Sequence, residues 1–282
     1  MSAPPPPAAD TPGLHDNKGW QVLGVVISLP ILATMVIIMR FYTRLRIIHN
    51  IAIDDWFMGI AWIFAIATSI CMCYQVHYGM GRHVATLTLE QGMGSLKALF
   101  ASILTYNISL TTIKLSVLMQ YLRICVSKPV RRACWIFVGI IVFYGFWTVL
   151  SAIFNCIPVQ YFWDERGEGK CLNKPLLWFL NAGINIVTDF SLILLPIFVL
   201  RGLMLPKRQK ISLILILALG GFAGITSILR LHALYIVTIS KDITWDNPGT
   251  AIWSCVELNV GIICASLPTL RALLTKFFPN AF

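Results

Sequence analysis

Charge is scarce in this chain: Asp, Glu, Lys and Arg together make up 12% of its 282 residues, and only 12 residues are acidic. Apolar types reach 57%, with a mean hydropathy of +0.77. A soluble domain of this length could not hide so much apolar surface in its core, so lipid must be part of the solvent. The eight cysteines show no metal-ligand spacing, and no metal site is expected. No nucleophile or cofactor motif stands out. No pair of homologous halves with matching broken helices is visible, as a transporter would more often show.

What is present is a series of long apolar runs. A helix needs roughly 20 mostly apolar residues to cross a hydrocarbon layer about 30 Å thick. Seven runs qualify: Trp20 to Met39, Ile53 to Tyr74, Leu96 to Leu122, Ala133 to Phe154, Leu176 to Leu200, Ile211 to Ile236 and Ala251 to Leu273. The expected fold is an all-α, polytopic bundle of seven transmembrane helices. Residues 1–18, rich in Pro and polar types without a basic start and apolar centre, are expected to be a disordered outer lead rather than a signal peptide. Residues 19–276 form the membrane domain and 277–282 a short cytosolic tail.

Basic residues orient the chain, because cytoplasmic loops carry an excess of Lys and Arg. Arg40, Arg44, Arg46, Arg123, Lys128, Arg131, Arg132, Arg201, Lys207, Arg208, Lys210, Arg271 and Lys276 lie toward one side, 13 of the 22 basic residues. Six lie on the other, among eight acidic residues. The basic side is read as cytosolic, which places the N-terminus outside and favours the plasma membrane. The net charge of +10 is divided among membrane-flanking loops, so nucleic acid is not an expected partner. Lipid headgroups are. Arg123, Lys128, Arg131, Arg132, Lys207, Arg208 and Lys210 form a candidate coupling surface for a cytosolic signalling protein.

The long outer connection carries Cys156 and Cys171 into the compartment where disulfides persist. A bridge between them would staple this loop over the bundle mouth; pairing of either with Cys71 or Cys73 is the alternative. Cys125, Cys134, Cys255 and Cys264 read as small packing residues.

Ionisable residues deep in a span are costly, which makes each a functional candidate. Lys114, Asp189, Arg230 and Glu257 are four such residues. Helical rise puts Arg230 and Glu257 at similar depth, so they are expected to pair. Asn181, Asn185 and Asp189, at four-residue spacing, form one polar stripe facing the bundle interior. Lys114 is offered either Asp189 or the Asp54/Asp55 pair. These residues read as interhelical bonds, as the lining of a ligand pocket, or as an ion path. Gly220, Gly221 and Gly224 form a small-residue face for close helix approach. Pro30, Pro196 and Pro268 mark kinks, and Trp20, Trp56, Trp163, Trp178 and Trp253 fall near interfaces.

Taken in order, Arg40-Phe41-Tyr42-Thr43-Arg44-Leu45-Arg46, Asp54-Asp55-Trp56, Gly79-Met80-Gly81-Arg82-His83, Lys114-Leu115-Ser116, Tyr121-Leu122-Arg123, the Cys156-x-Pro158 to Cys171 loop, Asp189 with Pro196, and Glu257-x-Asn259 with Leu267-Pro268 form a joint pattern. It resembles the fungal rhodopsin-like domain family of seven-helix proteins, which includes pathogenicity-receptor-like and satratoxin-cluster-like members. The resemblance covers about Gly19 to Lys276, and it adds Asn259 to the candidate polar residues. It implies either a receptor-like sensor of a small molecule or an accessory protein, even an intramembrane enzyme, of a secondary-metabolite cluster. Retinal is not implied, because a Schiff base needs a lysine within the last helix, and Ala251 to Leu273 contains none; no cofactor is expected. Tyr121-Leu122-Arg123 is similar in position to the inner end of helix three of G-protein-coupled receptors, without the acid that precedes the arginine there.

Overall fold

The computed structural model describes residues 16–124, 128–164, 166–200, 207–240 and 242–277, with side chains left aside at 124, 196–200, 207–220, 223 and 271–277. Most of the lead (1–15), Cys125 and the tail beyond 277 therefore lie outside the described residues, as do the side chains of Pro196, Lys207, Arg208, Lys210, Arg271 and Lys276.

Among the described residues seven long helices follow one another: α1 (Gly19–Thr43), continued by a π-helical turn Arg44–Ile48, α2 (Ile53–His77), α3 (Leu89–Ile124), α4 (Lys128–Ile153), α5 (Lys174–Leu200), α6 (Lys207–Ile239) and α7 (Ile243–Phe277). Six are long and apolar enough to cross a bilayer on the described residues alone, and α6 contributes the shorter apolar stretch Gly224–Ile239. The protein is an all-α, polytopic membrane protein.

Several helices begin before the apolar runs do, because capping and not hydrocarbon thickness sets a helix start. At α3 the backbone N–H of Gln91 donates to Thr88 Oγ1 (3.3 Å) while the N–H of Thr88 donates to Gln91 Oε1 (3.0 Å). That reciprocal box starts the helix at Leu89, seven residues ahead of the apolar run. Asn173 Oδ1 accepts from the Leu176 N–H at the start of α5, and Asp242 Oδ1 from the Trp245 N–H at the start of α7.

One end of the bundle is closed by a two-stranded hairpin, β1 (Cys156–Ile157) and β2 (Lys170–Cys171). The α2–α3 and α6–α7 connections lie at the same end and are stitched together. The Gly81 N–H donates to Thr244 O at 2.8 Å and the Lys18 N–H to Gly81 O at 3.0 Å. His83 Nδ1 lies 2.7 Å from Asp242 Oδ2, and its ring stacks on Trp245 at 4.1 Å. Gly81 has a φ of 92°, and a Cβ there would stand 2.6 Å from Gly19 N, so only glycine fits this crossing. The opposite end carries the α1–α2 connection, the end of α3 and the start of α4, with Arg44, Arg46, Arg123, Lys128, Arg131 and Arg132 among the described basic residues there.

The interior is packed around α1, α2, α3 and α7, where Met58, Ala61, Leu258 and Ile262 are buried. Ile63, Phe143, Phe146 and Val187 point outward, as lipid-facing side chains do. Trp20 and Trp56 are exposed near helix starts. The close approach expected from the α6 glycines is absent at the described ones: a Cβ at Gly221 would meet nothing, and one at Gly224 would meet the Phe190 ring and Ile193 of α5 at ordinary contact distance. The tight crossing is between α3 and α4, where a Cβ on Gly145 would press to 2.5 Å from Thr111 Cγ2. A lone small residue facing a branched one does not show up as a repeating small-residue pattern.

Candidate functional site

The hairpin lies over the end of the helices. Cys156 and Cys171 are disulfide-bonded and directly paired across the two strands, whereas Cys71 and Cys73 are free. The chain between the strands turns inward at Phe162, which is buried. Its ring packs against Phe100 of α3 at 5.4 Å, with Lys174 Nζ 5.0 Å from the ring centre. Trp163 meets Phe100 edge-on. At the rim, the Arg166 Nε donates to Asp164 Oδ1 at 2.9 Å, and these hydrogen bonds hold the Asp164 carboxyl below its ordinary value.

Beneath this lid is a cavity of about 140 Å³, reached by residues of α2 to α7. Its walls are mainly apolar, with Leu99, Ile103, Trp178, Leu234 and Val237 among them. A cavity of about 150 Å³ admits a benzene-sized guest, so the space suits a small molecule. Polar side chains are interspersed among them, Gln75, Ser102, Tyr144, Asn181 and Thr250 included. Tyr144 OH donates to Asn181 O at 2.6 Å, and Gln75 Nε2 donates to Ser102 Oγ at 3.0 Å. Asn155 Oδ1, Asn181 Oδ1 and Thr250 Oγ1 are buried without a hydrogen-bond partner among the described residues. Arg230 Nε, though 2.7 Å from Glu257 Oε2, also makes no hydrogen bond among the described residues; most buried polar atoms in folded proteins are paired, so four such atoms on residues lining one cavity are a departure from the usual pattern.

The cavity floor rests on a charge network that joins four helices. Arg230 Nε of α6 lies 2.7 Å from Glu257 Oε2 of α7, and Lys114 Nζ of α3 lies 2.9 Å from Asp189 Oδ1 of α5. Asn185 and Ser227 connect the two pairs. Asn185 Nδ2 donates to Glu257 Oε1 at 2.8 Å and lies 3.2 Å from Asp189 Oδ2. Ser227 Oγ is 2.6 Å from Glu257 Oε1 and 2.8 Å from Asp189 Oδ2. Tyr106 OH donates to Glu257 Oε2 at 2.6 Å. Lys114 Nζ also donates to Asn185 Oδ1 at 2.7 Å and Thr188 Oγ1 at 2.6 Å. Two cations and two carboxylates thus cancel within one buried cluster, which is how charges persist away from water. Arg230, Asn185 and Tyr106 also line the cavity, so network and cavity share a surface.

Of the polar residues singled out in the sequence, Lys114, Asn185, Asp189, Arg230 and Glu257 converge in this network. Asn181 lies above them in the cavity wall. Asn259 stays apart: its Nδ2 donates to Cys255 O within α7. Lys114 meets Asp189 and not the Asp54/Asp55 pair. Among the described residues no group of three or more His, Cys, Asp or Glu side chains is placed to hold a metal.

A second cluster lies at the basic end, built from arginines that the helix itself carries. Arg40 lies within α1 and Arg44 at its continuation, four residues on, so both face one way. Arg40 Nε donates to Asp55 Oδ1 at 2.9 Å, its Nη2 to Asp54 Oδ2 at 2.8 Å and its Nη1 to Ala265 O of α7 at 2.7 Å. Arg44 Nη2 donates to Asp54 Oδ2 at 2.9 Å. Arg40 and Asp55 are both 0% exposed. Ser116 Oγ of α3 donates to Asp54 O at 2.7 Å. Arg123, at the end of α3, reaches only to 3.8 Å from Asp54 Oδ1. The two acids also sit in the first turn of α2, where the helix dipole favours negative charge. Two arginines at four-residue spacing followed closely by Asp-Asp was the signal available in the sequence. Arg123, Lys128, Arg131 and Arg132 are exposed at this end.

The fungal rhodopsin domain matches residues 39–276 of the chain. Among curated proteins, a SAT4 family membrane protein of Emericella nidulans is 29% identical over 208 residues, 72% of this chain and 52% of that protein. Satratoxin biosynthesis SC1 cluster protein 4 of Stachybotrys chartarum is 30% identical over 176 residues, 61% of this chain and 62% of the relative. Receptor GIN3 of Arthrobotrys oligospora is 23% identical over 263 residues, 89% of this chain and 61% of the receptor. The chain thus spans from about half to three fifths of the length of these relatives.

Proposed function

The chain belongs to the fungal rhodopsin domain family, and on that premise we propose that it is a receptor-like protein of the plasma membrane that senses a small molecule. In this reading the hairpin end and the N-terminus face outward. The ligand occupies the cavity under the disulfide hairpin. The signal leaves through the basic end, where Arg123, Lys128, Arg131, Arg132, Lys207, Arg208 and Lys210 meet a cytosolic signalling protein. The observation that carries the reading is the cavity floored by a network joining α3, α5, α6 and α7. A guest touching Arg230 or Tyr106 perturbs bonds to all four helices at once, and α3 carries that change to Ser116 and Arg123. Lys114, Asn181, Asn185, Asp189, Arg230 and Glu257 are assigned to this pocket and its floor. The similarity to a protein named as a receptor supports the reading.

A second reading is favoured by the similarity to a satratoxin biosynthesis cluster protein: the same cavity handles an apolar metabolite, as an accessory protein or as an enzyme. One experiment separates the two. The purified full chain in nanodiscs, carrying a fluorophore on Arg131→Cys in an otherwise surface-cysteine-free background, is titrated with small-molecule fractions of fungal culture medium. Sensing predicts a fluorescence change that vanishes in Ala182→Leu, which fills the cavity, with the compound recovered unchanged. Bound compound with a silent fluorophore would overturn the receptor reading, and turnover of the compound would replace it with the enzymatic one.

A further inference from the structure

The charge balance around the cavity restricts what can enter it. Among the described residues, the one charged side chain in its lining is Arg230, and that guanidinium already lies 2.7 Å from Glu257. The other two buried charges of the floor, Lys114 and Asp189, face each other. An ionic guest would therefore add an unbalanced charge to a floor whose charges already cancel, and would lose its hydration, which is costly in a mainly apolar wall. Either sign of charge would also compete with an existing ion pair and leave one of its members unpaired.

The unpartnered polar atoms point to what the guest does carry. Asn155 at the end of α4, Asn181 on α5 and Thr250 on α7 each line the cavity, and Asn155 is only 3% exposed. Their side-chain oxygens have no partner among the described residues. The backbone carbonyl of Asn181 is already used by Tyr144 and that of Asn155 by the Leu172 N–H, so what lacks a partner is the side-chain oxygen of each. Rotating either amide exchanges oxygen for nitrogen and still leaves a polar atom unserved. A hydroxyl serves both orientations, because it donates and accepts.

We infer that the cavity takes an uncharged, hydroxylated molecule with a compact apolar body, its hydroxyl groups bound by the side chains of Asn155 and Asn181. The inference rests on the small-molecule reading above and names the ligand class for that site. The apolar body packs against Leu99, Ile103, Trp178 and Val237. A guest of this kind also partitions into the bilayer interface, from which the cavity can be reached.

The test uses four probes built on one ring, with the full chain in nanodiscs and empty nanodiscs subtracted: trans-cyclohexane-1,2-diol, cyclohexane, cyclohexanecarboxylate and cyclohexylammonium. The diol is expected to bind about tenfold more tightly than cyclohexane, the effect of one or two net hydrogen bonds. Both ions are expected to bind at least about tenfold more weakly than the diol. Asn155→Leu with Asn181→Leu should bring the diol down to the affinity of cyclohexane and leave cyclohexane itself unchanged. If that variant does not fold, the four-probe comparison on the unaltered chain decides alone. A carboxylate or ammonium probe that matches the diol and is displaced by it overturns the ligand class while leaving a small-molecule site. A diol no better than cyclohexane does the same, and assigns the unpartnered side-chain oxygens to water. Failure of all four probes, cyclohexane included, overturns the small-molecule reading itself.

Discussion

The two ends of the bundle use buried polar groups in opposite ways. At the basic end Arg40, Arg44, Asp54 and Asp55 are buried and mutually paired, with a backbone carbonyl of α7 drawn in. At the hairpin end the side-chain oxygens of Asn155, Asn181 and Thr250 are buried and unpartnered on residues that line the cavity. Polar groups committed to one another contribute to holding helices together; polar groups left unserved contribute nothing to the fold and remain available to a guest. The network of Lys114, Asp189, Arg230 and Glu257 lies between these extremes, since it is charge-balanced yet lines the cavity. Helix α3 runs through all three regions, with Tyr106 and Lys114 at the network and Ser116 and Arg123 at the basic end.

The sharpest way to break this contrast is at the basic end. Arg40→Met leaves Asp54 and Asp55 short of a buried partner, and should lower stability by about 3–5 kcal/mol, measured as thermal or denaturant unfolding of the purified chain in nanodiscs. A loss no larger than that of an exposed arginine such as Arg131→Met would show that the cluster does not hold the helices. A smaller effect is expected at the lid. Replacing Cys156 and Cys171 together with Ser frees the 15-residue separation closed by the disulfide, and should cost about 2–4 kcal/mol. Amide exchange should rise first between 155 and 172, and unchanged exchange there would mean that Phe162 packing alone keeps the lid in place.

The middle network should respond least of the three. Arg230→Met and Glu257→Gln should each destabilise, and the double variant should be more stable than the sum of the single losses implies. The coupling is expected to be about 1 kcal/mol, because Tyr106, Ser227 and Asn185 continue to serve whichever partner remains, and intramembrane polar contacts are weak on average. Strictly additive losses would mean that the 2.7 Å contact carries no stability.

Much of the architecture was legible because it is written in composition: apolar runs long enough to span lipid leave few alternatives to a helical bundle. Depth along a helix is also simple arithmetic, which is why Arg230 and Glu257 could be matched from sequence. Helix starts were less legible, since Thr88 with Gln91 and Asp242 act outside the apolar runs. The Arg40/Arg44 cluster was hidden for a different reason. Arginine at a span's end has two explanations, topology and burial, and the sequence does not separate them until the facing Asp54 and Asp55 are placed in space. The unpartnered side-chain oxygens of Asn155 and Asn181 could not be foreseen at all, because an unpaired atom is a property of what surrounds it.

The central claim, that the polar groups at the hairpin end are not used by the fold, is tested most directly by comparing the unfolding midpoints of Asn181→Leu and Arg40→Met in the same nanodiscs. Asn181→Leu should unfold within about 0.5 kcal/mol of the unaltered chain, its backbone carbonyl still accepting from Tyr144, while Arg40→Met falls far below both. An Asn181→Leu chain destabilised as severely as Arg40→Met would contradict that claim.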